Sequence, residues 1–278
     1  MHSHARQNSS KARLPDEALW VLQLSDTHLY ADPGGTLAGV NTLDTMHQTL
    51  DMALRRLPRK PDLLIATGDL VHDASTAGYD RLARSLLQLD IPVYCLPGNH
   101  DNPKLLAQRM TAMGVPDNRL LETAHWRILL LDSTVAGQEG GHLAAAELAW
   151  LEQQIQAVDK HLLLCLHHQP IPVGSRWIDA MALDNGAALV SLVRHYPQVK
   201  GVIWGHVHQA FERHEKGVYW LSAPSTCIQF TPGSDEFSLE PVPPGCLVLA
   251  LSANGEINRR LLRLNELPEA TEPALTGH

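Results

Sequence analysis

The chain has 278 residues, 44% of them hydrophobic, and its 22 Lys and Arg against 30 Asp and Glu leave a net charge of -8. That length and hydrophobic content suit one globular catalytic domain with a large core, and the acidic balance leaves no basic patch of the kind nucleic-acid binding requires. Residues 1–17 lack an apolar signal-like centre and no later stretch is long and apolar enough to span a bilayer, so a cytoplasmic protein with neither nucleic-acid nor membrane partners is expected.

In chain order, the apolar run Trp20–Leu24 reads as a buried strand. Next comes Thr42–Leu57, with Leu43, Met46, Leu50, Ala53 and Leu54 at three- and four-residue steps, a helix with Asn41 placed to cap it. Strands are predicted again at Leu63–Ala66, Val93–Leu96, Leu162–Leu166 and Val202–Trp204, and helices at Thr76–Leu89, Pro103–Met113, Ala144–Val158 and about Asn185–Tyr196. After His208 the runs Ala210–Glu215, Val218–Ser222, Gly245–Leu251 and Glu256–Leu264 are short and broken by Gly and Pro, which reads as an antiparallel meander. Alternation and then meander argue an α/β protein whose two sheets pack face to face with helices outside. Pro- and Gly-rich loops at Tyr30–Gly39, Pro170–Trp177 and Thr231–Pro244 are long enough to shape a pocket rim. The domain is placed at residues 18–265, between tails at 1–17 and 266–278 that are expected to be disordered. Cys95, Cys165, Cys227 and Cys246 are widely spaced and are expected to be reduced core thiols.

The residues just past the strand ends carry the chemistry. Asp26-Thr27-His28, Gly68-Asp69, Gly98-Asn99-His100-Asp101, His167-His168 and Gly205-His206-Val207-His208 each come directly after one predicted strand. In open α/β sheets the groove outside the carboxyl ends of the strands is where ligands bind, so these side chains are expected to gather along one edge. Taken singly, each cluster is equally an N-cap, a turn or a pair of strand histidines satisfied by hydrogen bonds. Taken together they form a set of carboxylate, amide and imidazole donors without thiolate, which suits Mn, Fe, Zn or Co at a catalytic rather than a structural site. Two ions roughly 3.5–4 Å apart need one carboxylate to bridge them, and Asp69 is the natural bridge.

The series Asp-x-His, Gly-Asp, Gly-Asn-His-Asp, His, Gly-His-x-His resembles the calcineurin-like metallophosphoesterase superfamily. The flanking residues Gln23–Leu29, Gly39–Thr42 and Pro224–Phe230 are similar to those of the bacterial class III 3′,5′-cyclic AMP phosphodiesterases, a likeness extending from about Trp20 to Leu264. It implies a four-layer sandwich of two mixed sheets flanked by helices, and two divalent or mixed-valence metal ions, iron or manganese among the candidates. One ion would be held by Asp26, His28, Asp69 and His208, and the other by Asp69, Asn99, His167 and His206. His28, Asn99 and His100 would meet the substrate, a small-molecule cyclic nucleotide, with His100 as the catalytic proton donor to the departing 3′-oxygen. A hydroxide held between the ions would be the nucleophile. The chain would act as a monomer or a homodimer.

One position departs from the superfamily pattern. Related protein phosphatases carry an Asp three residues after the bridging Asp to orient the catalytic histidine; here that position is His72, with Asp73 next to it. Asp73 or Asp101 could take over that role, or His72 could simply face solvent. Trp177, Asp179, Asn185 and Asn41–Thr42 are candidates for ribose or base contacts, with loop packing and helix capping as their plainer roles. His168 is read either as an orienter of a ligand or as an ordinary strand-end residue. Rival functions are a broader phosphodiesterase or phosphomonoesterase acting on 2′,3′-cyclic nucleotides or glycerophosphodiesters, and a non-catalytic protein-binding scaffold.

Overall fold

The computed structural model describes residues 14, 15 and 17–269. The elements run β1 (Leu19–Leu24), β2 (Thr36–Leu37), β3 (Val40–Asn41), α1 (Thr42–Arg56), β4 (Leu63–Thr67), α2 (Thr76–Leu87), β5 (Val93–Leu96), α3 (Pro103–Ala112), β6 (Leu120–Glu122) and β7 (Trp126–Leu130). They continue α4 (Ala145–Gln156), β8 (His161–Cys165), α5 (Arg176–Asp179), α6 (Gly186–His195), β9 (Val199–Trp204), β10 (Phe211–Glu215), β11 (Val218–Ser222), β12 (Gly245–Leu251) and β13 (Ile257–Arg263). The first sheet has the order β13-β12-β1-β4-β5 and the second β10-β11-β9-β8-β7-β6. Within the first, β1, β4 and β5 are parallel; within the second, β7, β8, β9 and β11 are parallel; antiparallel strands complete both.

Side-chain alternation along the strands builds the layers. On β1, Trp20, Leu22 and Leu24 face the core shared with α1, α2 and α3, whereas Val21 faces the second sheet. On β8, Leu162 and Leu164 face α4 and α6, whereas Leu163 and Cys165 meet β1, β4 and β12 across the inter-sheet core. Both faces of these central strands are buried, hence the near-continuous apolar runs. Each fully buried leucine in those layers contributes roughly 1.5–3 kcal/mol of burial free energy. The result is the expected sandwich, helix on sheet on sheet on helix.

Helix starts are where the sequence places them. Asn41 Oδ1 accepts from Asp44 N at 2.9 Å, Ser75 Oγ from Gly78 N at 3.1 Å, and Asn102 Oδ1 from Leu105 N at 3.1 Å ahead of Pro103. The single meander expected after His208 is not formed. The β10–β11 hairpin joins the second sheet through a parallel pairing of β11 with β9, whereas β12 and β13 cross to the first sheet. Strand-like runs carry no label for the sheet that will accept them. Not predicted from the sequence are β6, β7 and the hairpin β2–β3: β6 and the hairpin are short, whereas β7 is an apolar run as long as β4 that Arg127 interrupts. All four cysteines are free. The expected tails fall largely outside the described residues, although Leu14 is buried against the first core and Pro15 O accepts from Trp20 Nε1 at 2.9 Å.

The pole away from the ligand loops is tied by Asp62. Its carboxylate accepts from Trp20 N at 2.6 Å and from Arg59 at 2.8 and 3.0 Å, and Arg59 stacks over the Trp20 ring at 4.5 Å. Partial burial opposes ionisation of Asp62, but the Arg59 and Trp20 hydrogen bonds outweigh it and hold the carboxyl below its ordinary range. A depressed folded-state pKa means a stabilisation present above the unfolded value near 4 and lost as pH falls through the folded value. Asp62→Asn should therefore lower stability at pH 7 by roughly 1 kcal/mol, screened because the pair is half-exposed, with the difference from wild type shrinking below about pH 4. Urea denaturation at pH 7 and pH 3 checks this, and an undiminished gap at pH 3 would count against it.

Candidate metal centre and its cavity

The five ligand loops leave the carboxyl ends of β1, β4, β5, β8 and β9 and meet at one mouth of the sandwich. Their backbones interlock: Asp26 N donates to Gly68 O, His28 N to Asp69 O, and Gly205 N to His167 O. Asp26, His28, Asp69, His206 and His208 all adopt left-handed backbone, with φ of 52°, 43°, 51°, 65° and 45°. Left-handed conformations in non-glycine residues cost roughly 1–2 kcal/mol each, and strain gathered in one place in this way is a mark of a functional site. Two glycines allow the close approach. A Cβ on Gly98 would lie 2.2 Å from Asp69 Oδ1, and one on Gly205 would lie 2.0 Å from Ser25 Oγ and 2.8 Å from Asp26 Oδ2.

The side chains converge as donor sets. His28 Nε2 lies 3.1 Å from His208 Nε2 and 3.8 Å from Asp69 Oδ2, and His208 Nε2 lies 3.5 Å from Asp26 Oδ1. On the other side of Asp69, His167 Nε2 lies 3.3 Å from Asp69 Oδ2 and 3.1 Å from Asn99 Oδ1, and the His206 ring packs edge-on to His167 at 5.1 Å. Asp69 thus touches both groups. All seven side chains expected as ligands come together here, with His100 beside them.

A pair of cations fits this donor set. His208 Nδ1 donates to Ile228 O at 2.9 Å and His167 Nδ1 to Thr67 O at 2.8 Å, which turns each Nε2 lone pair inward. Asp26 Oδ2 and His206 Nε2 are buried without a hydrogen-bond partner among the described residues. Burial holds His28 and His206 well below the ordinary imidazole range and pulls His208 down to about 3, so all three are neutral, the form that binds metal. Burial also pushes the Asp26 carboxyl up to about 7, whereas Asp69, despite its burial, is kept well below the usual range by His167. Burial opposes a charge on His167, but Asp69 and Asp26 outweigh it and raise this imidazole to about 9, so in the absence of metal a proton on His167 supplies the positive charge that the buried carboxylates call for and that a cation would replace.

The supports differ from expectation. Asp101 does not reach the His100 ring. Its carboxylate accepts from Leu70 N, Val71 N, Gly98 N and Tyr79 Oη, clamping the Asp69 loop to the Asn99 loop. Asp73 instead accepts from Ala31 N and Ser75 N. His72 occupies the place near His100: their rings stack at 4.5 Å and 20°, and His72 Nδ1 lies 3.0 Å from His28 Nδ1. It does not simply face solvent, and only its spacing of three from Asp69 signals this in the sequence. His168 is buried, bonded to Ser133 Oγ and Glu139 O, with its ring 4.7 Å from His206, so it packs behind the ligands rather than among them. Asn41 caps α1, Asp179 accepts from Val173 N and Gly174 N, and Asn185 bonds Leu143 N and O; all three are structural.

The segment Pro224–Phe230 buttresses the centre from outside. Ser225 Oγ donates to Asp26 O at 2.8 Å, Ile228 O holds His208, and the Phe230 ring stacks on His208 at 4.1 Å and 11°. In front lies a cavity of about 550 Å³ counting its open mouth, lined by His28, Asp69, Asn99, His100, His206 and His208 on one side. Leu37, Trp177, Met181 and Phe230 line the other; of these, sequence reasoning singles out only Trp177.

Residues 19–210 match the family model for calcineurin-like phosphoesterases. The chain belongs to that family. Two proteins named 3′,5′-cyclic adenosine monophosphate phosphodiesterase CpdA align along nearly all of it. The one from Vibrio vulnificus (strain CMCP6) is 38% identical over 260 residues, covering 93% of this chain and 94% of its own. That from Pseudomonas aeruginosa is 36% identical over 253 residues, covering 91% and 92%. Among solved structures, a dimetal phosphatase from Danio rerio superposes with a TM-score of 0.64 at 16% identity, over 88% of this chain and 96% of its own. GAP50, described as the anchor in the inner membrane complex of Plasmodium, superposes at 0.61 and 14% over 91% and 87%. The two solved structures share the fold of this chain.

His72→Ala should lower Mn²⁺ affinity roughly ten- to a hundredfold by removing the partner that orients His28. Calorimetric Mn²⁺ titration of the variant measures it, and unchanged affinity would reduce His72 to a packing residue.

Proposed function

We propose that this phosphoesterase hydrolyses 3′,5′-cyclic AMP to 5′-AMP at the cavity in front of Asp69. One observation carries the reading: His100 stands beside the Asp69–Asn99 donor set with its ring nitrogens unbonded to protein among the described residues, facing the same cavity as the ligand histidines. The names of the Vibrio and Pseudomonas relatives, which align over nine tenths of both chains, favour the cyclic nucleotide over other small esters.

In this proposal Asp26, His28, Asp69 and His208 hold one metal ion, and Asp69, Asn99, His167 and His206 hold the second. When bound, such a pair supplies positive charge at the phosphoryl oxygens and brings the pKa of a water towards neutrality. Iron, manganese, zinc and cobalt all suit the nitrogen and oxygen donors. The chain's own residues do the rest. Asn99 turns its Oδ1 to His167 at 3.1 Å, which leaves Nδ2 to donate to a phosphoryl oxygen. His100 is the proton donor to the departing 3′-oxygen, its backbone N fixed by Asp69 Oδ1 at 2.9 Å and its ring plane by His72. His28 presents its ring edge-on to His100 at 5.0 Å and lines the cavity beside it, where it meets substrate as well as metal.

The catalytic domain is assigned to residues 18–265, acting as a monomer or homodimer in the cytoplasm. No helix of the described residues is long and apolar enough to cross a membrane, and the acidic charge balance disfavours nucleic acid as substrate.

Protein loaded with Mn²⁺ should convert 3′,5′-cyclic AMP to 5′-AMP in preference to 2′,3′-cyclic AMP, with no turnover in Asp69→Ala. His100→Ala should lower kcat by roughly a hundredfold or more with metal content intact. Chromatographic product analysis and elemental analysis of the two variants read these out. A preference for another ester would replace the substrate, and full activity in His100→Ala would remove that histidine from the reaction.

A further inference from the structure

The cavity has two unlike walls. Adjoining the polar lining is an apolar one built from three separate parts of the chain. Leu37 comes from the β2–β3 hairpin, Trp177 and Met181 from α5 and the residues just after it, and Phe230 from the end of the buttress segment.

This wall is preformed. Trp177 packs edge-to-face on Phe230 at 5.0 Å and on Phe237 at 5.3 Å, and those two phenylalanines meet at 5.5 Å. Phe230 in turn stacks on His208, so the apolar wall is continuous with a proposed ligand. The segment carrying Trp177 into the site is pinned at two points, by Asp179 on Val173 N and Gly174 N and by Gln169 Nε2 on Ile178 O at 2.8 Å. Leu37 is held by a two-residue turn in which Ala38 and Gly39 both have positive φ, 47° and 79°, the geometry of a tight hairpin. The Trp177 indole Nε1 is enclosed without an acceptor among the described residues.

We infer that Leu37, Trp177, Met181 and Phe230 form the binding site for the purine base of the substrate, seating the nucleoside while its phosphodiester faces Asp69 and Asn99. The inference rests on the cyclic-nucleotide reading and adds to it the surface that distinguishes a nucleotide from a bare ester. Base stacking on an aromatic side chain tolerates different bases, so the site selects for the presence of a base more than for its identity.

The test compares 3′,5′-cyclic AMP with methyl riboside 3′,5′-cyclic phosphate, the same ester without a base, and titrates adenosine, a base and ribose without phosphate, by calorimetry. Wild type loaded with Mn²⁺ should favour the nucleotide by roughly tenfold or more in kcat/KM, and Trp177→Leu should shrink that ratio towards one through KM. Adenosine binding should weaken by a similar factor in the variant. Leu37→Ser, in the same wall but on the β2–β3 hairpin, should act in the same direction and covers the case in which Trp177→Leu does not fold. Equal turnover of both esters by wild type, or adenosine binding unmoved by either variant, would overturn the base site and leave the phosphodiesterase reading standing. Turnover of neither ester by wild type would sink that reading instead, and the adenosine titration would still decide the base site.

Discussion

The structure depends on placing the Asp69 carboxylate, ionised, in a buried position. An isolated buried carboxylate is strongly unfavourable, so everything around Asp69 is arranged to compensate it: His167 and His28 at its oxygens, the His100 amide donating to Oδ1, and donors for metal on both sides. That need explains the rest of the local architecture. Five strands deliver their carboxyl ends to one mouth, the loops there bend through left-handed conformations, and Gly98 and Gly205 remove the Cβ atoms that would hold the loops apart. Asp101, itself buried, commits its acceptor capacity to the backbone of the two loops it joins rather than to the reacting group.

Strain and stability are separated along the strand axis. At the amino ends of β1 and β4, Asp62, Arg59 and Trp20 form a tie of ordinary geometry that rests on hydrogen bonds and stacking. At the carboxyl ends, the same strands run into residues with unfavourable backbone and unpaired buried atoms. Between them the inter-sheet core and the two helix-covered faces make the scaffold stiff enough to hold that strain. His72 joins the chemistry of two neighbours, bonding the His28 ring with one edge and stacking on His100 with its face. A histidine in this place meets His100 through its ring face.

The buttress Pro224–Phe230 shows how a motif far along the chain becomes part of a site it never enters as a ligand. Ser225 holds the Asp26 backbone, Ile228 sets the tautomer of His208, and Phe230 closes the back of His208 while turning its other contacts to the aromatic cluster. The polar and apolar halves of the cavity therefore share one support. A dimetal phosphatase and a protein described as a membrane-complex anchor share this fold, so the layers by themselves do not specify what the mouth of the sandwich does.

By itself the sequence determined the α/β alternation, the cap at Asn41, the helix starts at Thr76 and Pro103, and the seven side chains that lie just past the strands. Local periodicity and short-range capping chemistry are written in neighbouring residues, and a ligand at a strand end is visible wherever the strand is. Tertiary structure alone decided which sheet accepts β10–β13, that Asp101 serves the backbone while His72 serves His100, and that Leu37, Trp177, Met181 and Phe230 share a wall. Each of these joins residues tens to nearly two hundred positions apart through contacts whose geometry no local pattern encodes.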